Sequence, residues 1–581
     1  MRVQILLKQK IAIEIKFVET QQLTLVNQNG VNQLINAIFA LLIITVKLLI
    51  LILLIQLPFA SPYFFAVMMA YGVFYLSNYM NALALDLPTD SYTEFLNRFK
   101  TSLSSLFQKE NIDQLSLSRG LPPNVWKEIF NLKPLAVAIP KEFGGRGVKV
   151  KECLGLLSAA SYESLPLSLT FGINIALFLE PLAKYGNEVI KGDIFKHFLD
   201  YGAMGGLMIT EPDYGSDALS MRTQNQLIDN EYHVKGTKHW QGLTGLANYW
   251  LITSRNANAE GNLGRDVDFF IADTHKPNQN IEVLEYYDNA GLYMIPYGLN
   301  KVDVKLPQEN KLIPESTGLK LMLDVLHRSR FQFPGMGMGF LKRMMDEATT
   351  HCKERIVGTS NLFSLDQVQF QLAKMQSYFT LCSAMCAKSC KVSGIDNDVS
   401  GSGVHANSMK ALVTDMMQDS AQMLVQLSGG KGYRLSHIGG RGIMDSRPFQ
   451  IFEGSNEMLY TQISEGILKD MKKKKTENLG EYLSINELTS NASKLYKKEF
   501  DFNIGSPISQ RKMIDLGKVI ARVVTVNDLL ELNNEGFSQQ LTDNSVEMVR
   551  QEIVTLLASL NQHQNINALE DLSNSDWMAF A

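Results

Sequence analysis

Three blocks of this 581-residue sequence concentrate side chains that could do chemistry. The first is Gly206–Asp217, GLMITEPDYGSD. The second is Lys235–Asn248, KGTKHWQGLTGLAN, which carries Trp240. The third, Gln426–Glu457, opens on QLSGGKGY and ends on MDSRPFQIFEGSNE. Here Glu453 follows two bulky residues, Ile451 and Phe452. A carboxylate in apolar surroundings is held towards its protonated form and can take a proton near neutral pH. Taken singly, each block also has a plain structural reading. TEP and YGSD match turn chemistry, the Gly429, Gly430 and Gly432 cluster matches a helix C-cap, and a lone Glu453 matches a solvated surface acid. Cys382, Cys386 and Cys390 fall on one helical face. Zinc sites favour CxxC-like spacing and a fourth ligand, so this stripe reads as small core residues rather than a metal site. The sequence contains no Walker loop, HExxH or GxSxG.

Positioning these blocks requires several domains, and the length allows about three to five. Apolar residues make up 45% and charged residues 20%, which is globular usage and excludes a disordered or collagen-like chain. The formal net charge of −4 gives no reason to expect nucleic-acid binding. Five cysteines do not make a disulfide scaffold, so a reducing compartment is expected. Residues 86–205 show helical periodicity. Residues 206–312 alternate short β-rich runs with turns: Tyr232–Trp240, Tyr249–Thr253, Asp266–Ile271, Ile281–Tyr287 and Val302–Leu306. They predict a small antiparallel β domain. Residues 313–470 return to long helices. Residues 471–581 read as a linker carrying the basic run Lys472–Lys475, followed by helices over Gln510–Leu532 and Ser545–Leu560. The predicted class is α+β, mainly α.

The N-terminal end is different. Between Lys47 and Asp86 lie 38 residues without a charged side chain. Ala37–Ile55 and Tyr63–Leu85 are each long enough to cross a bilayer, and QLPFASP separates them. Residues 34–85 therefore predict a transmembrane hairpin behind a tail of residues 1–33. Lys47 opposes the first span, at a cost of about 2.5–3.5 kcal/mol that its Leu/Ile surroundings offset. The loop between the spans has no positive charge, whereas the tail carries Arg2, Lys8, Lys10 and Lys16. The positive-inside rule puts tail and body in the cytoplasm. With one Arg and no Ser, the tail is unlike a mitochondrial transit peptide. A bacterial inner membrane is the expected location.

In this order and on this scaffold, the blocks resemble the acyl-CoA dehydrogenase family over about residues 120–470. Pro140–Gly145, PKEFGG, is similar to its early helical signature. The resemblance implies the family's helical N-terminal domain, middle β domain and C-terminal helical bundle, with FAD as cofactor. It places Thr210, Gly215 and Ser216 in the loop that lines FAD, and Trp240 beside the flavin. Arg355, Gln426 and Gly430 would reach the FAD of a neighbouring subunit, and Ser455 takes the usual Thr position near the cofactor. Glu453 falls on the catalytic base. Ser216, Arg330 and Gly454 would border the acyl-CoA. Some branches carry the base on an earlier helix, at the place of Ser329, which is no carboxylate. Two positions depart from the pattern. Gly242 replaces a Thr that contacts the flavin edge, leaving Thr244 as the nearest hydroxyl, and Val357-Gly358 replaces the usual Phe-Gly.

The implied reaction is α,β-dehydrogenation of acyl-CoA to trans-2-enoyl-CoA, with Glu453 taking the α proton and FAD the β hydride. The developing enolate needs donors at the thioester oxygen. In the family these are the base's own backbone N–H and a flavin hydroxyl. The membrane hairpin resembles bacterial membrane-bound members of fatty-acid β-oxidation, and the C-terminal extension resembles the very-long-chain branch. Both imply long acyl chains. The family's reaction implies an electron-transfer flavoprotein or similar carrier as partner, and the cross-subunit FAD contacts of Arg355 and Gln426 imply a homodimer or dimer of dimers. The Lys472–Lys475 run would suit anionic lipid heads. Two rivals remain at this stage. One is an oxidase, or a dehydrogenase of acyl groups on a carrier protein. The other is a non-catalytic membrane scaffold with a decayed flavin site.

Overall fold

The computed structural model describes residues 90–581 apart from 506–507, 561–566 and 572–574. The expected hairpin over 34–85 and its tail lie outside the described residues.

The first helices form a layer around apolar stripes. In α1, Tyr92–Lys109, a capping box from Ser91 and Glu94 fixes the start. Phe95, Phe99, Leu103, Leu106 and Phe107 form its buried face. The short α2, Pro123–Phe130, leads to α3, Val150–Glu163. Next comes α4, Leu165–Tyr185, the one helix among the described residues long and apolar enough to cross a membrane. Of its most apolar window, 94% is buried inside the protein, so it is a core helix. A π-turn over Ile175–Leu179 precedes Pro181, which has no N–H to continue the regular ladder. The layer closes with α5, Glu188–Tyr201, ended by Gly202 at φ 66°.

The β domain contains β1 Gly205–Met208, β2 Gln224–Ile228, β3 Glu231–Gly242, β4 Tyr249–Asn256, β5 Asp268–Asp273, β6 Gln279–Tyr286 and β7 Tyr297–Pro307. The sheet order is β1-β4-β2-β3-β7-β6, with β5 paired to β4. Asp229 and Asn230, both at positive φ, make the two-residue turn between β2 and β3. The expectation of a purely antiparallel domain needs correction. β4 runs parallel to both β1 and β2, because the β2–β3 hairpin lies between β1 and β4 in sequence and supplies the crossover.

The second helical unit starts with the 37-residue α6, Gly318–Glu354, followed by α7 Asp366–Val392, α8 Gly403–Ser428, α9 Ile438–Ser446 and α10 Asn456–Lys474. Gly335 and Gly339 let α6 approach α3 at backbone distance. A Cβ on Gly339 would lie 1.9 Å from the Ser158 carbonyl oxygen. Lys472–Lys474 are not a linker as expected. They occupy the last turn of α10, where cations complement the helix dipole, and Lys475 ends it. Beyond a short helix at Leu479–Ile485, α11 Gln510–Asn534 and α12 Gln539–Leu560 pack back onto the bundle.

Candidate active site

Glu453 sits on the turn between Arg447–Gln450 and α10, at φ 53°, followed by Gly454 at φ 93°. Ser455 closes the turn as the N-cap of α10, its side chain accepting from Met458 N–H. Ser329 Oγ, on α6, donates to Glu453 Oε1 at 2.9 Å, while Oε2 is buried without a partner. Burial raises the Glu453 carboxyl above its ordinary range, and the Ser329 bond, Arg330 and Lys410 oppose this. Ile451 does not help to enclose it as expected, being 56% exposed. Beside the turn, Phe333, Phe449 and Phe452 form an aromatic cluster with ring centroids 5.0–6.2 Å apart. Arg330 donates to the Glu453 carbonyl at 2.9 Å and to Asn407 Oδ1 at 2.7 Å. Lys410, fully buried on α8, donates to the Gly454 carbonyl at 2.8 Å.

A second group gathers where β3 bulges against β7, between His239 and Gln241. The bulge puts Trp240 at φ 61° and turns its ring outward, 52% exposed. The ring packs at 4.5 Å on Tyr287 and 6.4 Å on Tyr297. The Thr210 carbonyl accepts from His239 N–H at 3.0 Å and from the Gln241 amide at 3.2 Å. Beneath it lies a buried latch. Lys238 Nζ donates to Glu211 Oε1 at 2.9 Å, Ile209 O at 3.0 Å and Thr253 Oγ1 at 3.1 Å. Glu211 also accepts the N–H groups of Arg222 and Thr223. Burial brings Lys238 down to about 8, against the pull of Glu211. Gly215 and Ser216 lie on the exposed loop beyond this latch. The two groups share Tyr297, a half-buried residue whose phenol titration desolvation and then Glu453 push up.

Gly242 lies against Ile173, and no hydroxyl replaces the family's Thr there. Thr244 is fully buried, donating to the Gln241 carbonyl at 2.8 Å and accepting from Asn300 at 3.0 Å.

Arg355, Gln426 and Gly430 form a third group, all exposed. Arg355 ends α6, twenty-five residues past Arg330, or roughly 37 Å at 1.5 Å per residue. α8 runs alongside in the same direction, since Arg330 meets Asn407 and a Cβ on Gly337 would meet Val413. Gln426 and Gly430 therefore lie at the same far end, and one chain does not bring this group to Glu453. The residues that sequence reasoning missed are Ser329 as a donor, Lys410, Lys238 and Tyr297. A buried Lys at a core-facing helix position was the one readable signal. Of the cysteine stripe, Cys382 donates to the Pro334 carbonyl, Cys386 is half-buried and Cys390 exposed. Among the described residues no three potential ligands cluster to hold a metal.

The donor set fits FAD. An exposed indole, an open loop with Ser216, and a distant exposed Arg355 beside glycines that no neighbour approaches are suited to a flavin ring and a diphosphate.

Comparison with known proteins agrees. The acyl-CoA dehydrogenase N-terminal, middle and C-terminal domain families match residues 94–200, 206–302 and 316–468. A probable acyl-CoA dehydrogenase of Bacillus subtilis is 24% identical over 366 residues, 62% of this chain and 93% of its own length. The solved acyl-CoA dehydrogenase from Bacillus anthracis, complexed with FAD, aligns with TM-score 0.62 at 17% identity, covering 83% of this chain and 94% of that one. The prolyl acyl carrier protein oxidase AnaB aligns with TM-score 0.58 at 16% identity, covering 64% of this chain and 98% of that one. With helical, β and helical units in the family's order and its motifs at the bulge and the acidic turn, the chain belongs to the acyl-CoA dehydrogenase family, FAD-dependent oxidoreductases of acyl-CoA CH–CH bonds.

Proposed function

We propose that this protein oxidises long-chain acyl-CoA to trans-2-enoyl-CoA in fatty-acid β-oxidation, with Glu453 as base. One observation carries the reading: the Glu453 carboxyl is buried, raised by desolvation, steered through one oxygen by Ser329, and leaves the other without a partner. That oxygen is the one to take the α proton. Burial favours the protonated product, and Arg330 and Lys410 keep an ionised fraction available before reaction. The turn's own N–H groups are the donors for a thioester oxygen. The aromatic cluster of Phe333, Phe449 and Phe452 lends the turn apolar surroundings. Thr210, Gly215, Ser216, Trp240, Gly242 and Ser455 would hold the flavin end of FAD, which supplies the acceptor for the β hydride.

Arg355, Gln426 and Gly430 would complete the site of a second copy, so a homodimer or a dimer of dimers is the assembly we infer. The length of α6 supports this, since it keeps these residues far from Glu453 of the same chain. We also infer long acyl chains and a cytoplasmic body on a bacterial inner membrane, supported by the uncharged N-terminal stretch and the C-terminal extension, and an electron-transfer flavoprotein as acceptor, supported by the family's reaction. The likeness to a carrier-protein oxidase favours one alternative, an acyl carrier protein substrate with oxygen as acceptor.

The test is the visible spectrum of detergent-purified protein before and after anaerobic palmitoyl-CoA, beside Glu453→Gln. Bleaching in the wild type alone supports the assignment, with the mutant slowed at least 10²–10⁴-fold, the range of general base catalysis. Bleaching of both removes Glu453 as base. A yellow protein that ignores palmitoyl-CoA but reacts with acyl carrier protein, and reoxidises in air, would establish the alternative.

A further inference from the structure

The two carbonyls of the turn that carries Glu453 are each gripped by a buried cation. Arg330 takes the carbonyl of Glu453, and Lys410 takes that of Gly454 at 2.8 Å. Lys410 belongs to none of the blocks that suggested chemistry. Its second bond, at 3.0 Å, goes to Asn456 Oδ1. The Asn456 amide donates in turn to Asp415 at 2.7 Å, Thr414 at 2.9 Å and the Ala411 carbonyl at 3.0 Å, so this acceptor is itself fixed. The ring of Phe333 lies 5.8 Å from the Lys410 ammonium.

The turn needs such a grip. Glu453 at φ 53° is a non-glycine residue in the left-handed region, a strained conformation that persists only where its surroundings impose it. The planar trans peptide points N–H opposite to C=O. Holding the Gly454 carbonyl towards α8 therefore aims the N–H of Ser455 the other way, and Arg330 does the same for the N–H of Gly454.

We propose that Lys410 is a positioning residue of the reaction, holding the turn that carries Glu453 and placing a second positive charge beside its carboxyl. This rests on Glu453 being the base. The charged groups facing Lys410 are Glu453 on the turn, Arg330 on α6, Asp415 on its own helix and Glu457 on α10. Burial brings Lys410 down to about 7, while Glu453 resists this. In mildly acidic solution the ammonium is charged, so its removal raises the pH at which Glu453 ionises. Above that range a neutral amine still has two N–H groups for the Gly454 and Asn456 oxygens.

The experiment compares wild type, Lys410→Gln and Lys410→Arg, all with FAD bound. The carboxyl infrared band of Glu453, assigned by its loss in Glu453→Gln, is titrated without substrate. Anaerobic flavin reduction by palmitoyl-CoA is followed over the same pH range. Lys410→Gln should move both the infrared midpoint and the acid limb of flavin reduction to higher pH. Its plateau rate should fall roughly 10–100-fold, as expected when a base is displaced by about an ångström. Lys410→Arg should leave the midpoint in place. An unmoved midpoint in FAD-loaded Lys410→Gln overturns the proposal. Where Lys410→Gln does not hold FAD, Lys410→Arg decides: an unmoved midpoint supports the role of the charge, and one displaced to higher pH overturns it. A wild type that palmitoyl-CoA does not reduce defeats the proposed function, while the infrared titration still judges Lys410.

Discussion

Gly242 and Ile173 compete for one space. A Cβ on Gly242 would lie 2.8 Å from Ile173 Cδ1 and 3.4 Å from Tyr297 Cε1. A Thr at this position must displace the tip of the Ile173 side chain on α4. Gly242→Thr should cost about 1–3 kcal/mol by overpacking, and Ile173→Ala added to it should recover part of that loss. Thermal unfolding of the single and double variants checks this; equal melting of wild type and Gly242→Thr would refute it. Glu180 offers a pH-dependent case. It is buried, accepts from the Gln332 amide at 2.7 Å, and desolvation lifts it from 4.5 to about 7. A raised acid pKa means the folded state holds the proton more tightly than the unfolded one. The penalty is absent below about 4.5, grows as the pH rises to about 7 and is constant above. Glu180→Gln, which keeps the accepting oxygen, should gain on the order of 3 kcal/mol over wild type at pH 8 and little at pH 4.5, read from melting curves at both. Single residues were legible only where the chemistry is local. Glu453 could be named from FEGSNE, but Ser329 is 124 residues away in sequence and Lys410 is 44 from Gly454, the carbonyl it holds. No local pattern announces such partners.

At the scale of elements, strand β3 works as a lever whose fixed end is Lys238. From a fully buried position it binds the end of β1 through Ile209, the following loop through Glu211, and β4 through Thr253. The bulge that turns Trp240 outward begins one residue later. Lys238→Met would leave Glu211 buried without its cation, a loss of roughly 3–5 kcal/mol. Its expected signature is early release of FAD on heating together with a lower melting temperature, followed by flavin fluorescence. Retention of FAD up to the wild-type melting point would show that the latch does not serve the bulge. The longer strands were readable because they are rich in β-branched and aromatic residues between turn residues, alternating in β7 and continuously buried in β4 and β5. β2, QNQLI, is mostly polar and short, and β1 is a four-residue strand beginning Gly-Gly, so neither carried the signal. The parallel pairings depend on which segments meet in space, and no periodicity encodes that.

Across the whole molecule, the C-terminal helices are part of the catalytic bundle rather than an appendage. Both were readable from amphipathic spacing, but their docking face was not. α11 buries Leu516, Val519, Ile520, Val523, Val524, Val526 and Leu529. Polar ties fix its register: Ser464 Oγ donates to the Met513 carbonyl at 2.6 Å, His405 meets Asp528 at 3.0 Å, and Lys388 meets Glu531 at 2.7 Å. Arg522 meets Glu552 of α12 at 2.7 Å, and Tyr378 of α7 donates to that same carboxylate. The closest approach is at Gly517, where a Cβ would lie 2.0 Å from the Tyr460 carbonyl oxygen on α10. Backbone has no alternative rotamer, so any side chain there must push α11 away from α10. Tyr460 also donates to Asp415 at 2.7 Å, and Asp415 accepts from Asn456 at the foot of the Glu453 turn. Displacement of α10 is therefore carried to Glu453 along the chain itself, since Ser455, two residues on, caps α10, while the two Asp415 bonds tie the same helix end to α8. Gly517→Ala should lower stability by about 1–3 kcal/mol and slow anaerobic flavin reduction as well, although residue 517 touches no residue of the site. A control that lowers stability by a similar amount without shifting α10 separates the two effects. Gly242→Thr cannot serve because it lies in the proposed flavin site, whereas Val524→Ala, deep in α11, creates a cavity and leaves the helix spacing in place. If Gly517→Ala and Val524→Ala lose stability equally and reduce flavin at the same rate, α11 only stabilises the bundle. A slower rate for Gly517→Ala alone shows that helix spacing sets the position of Glu453.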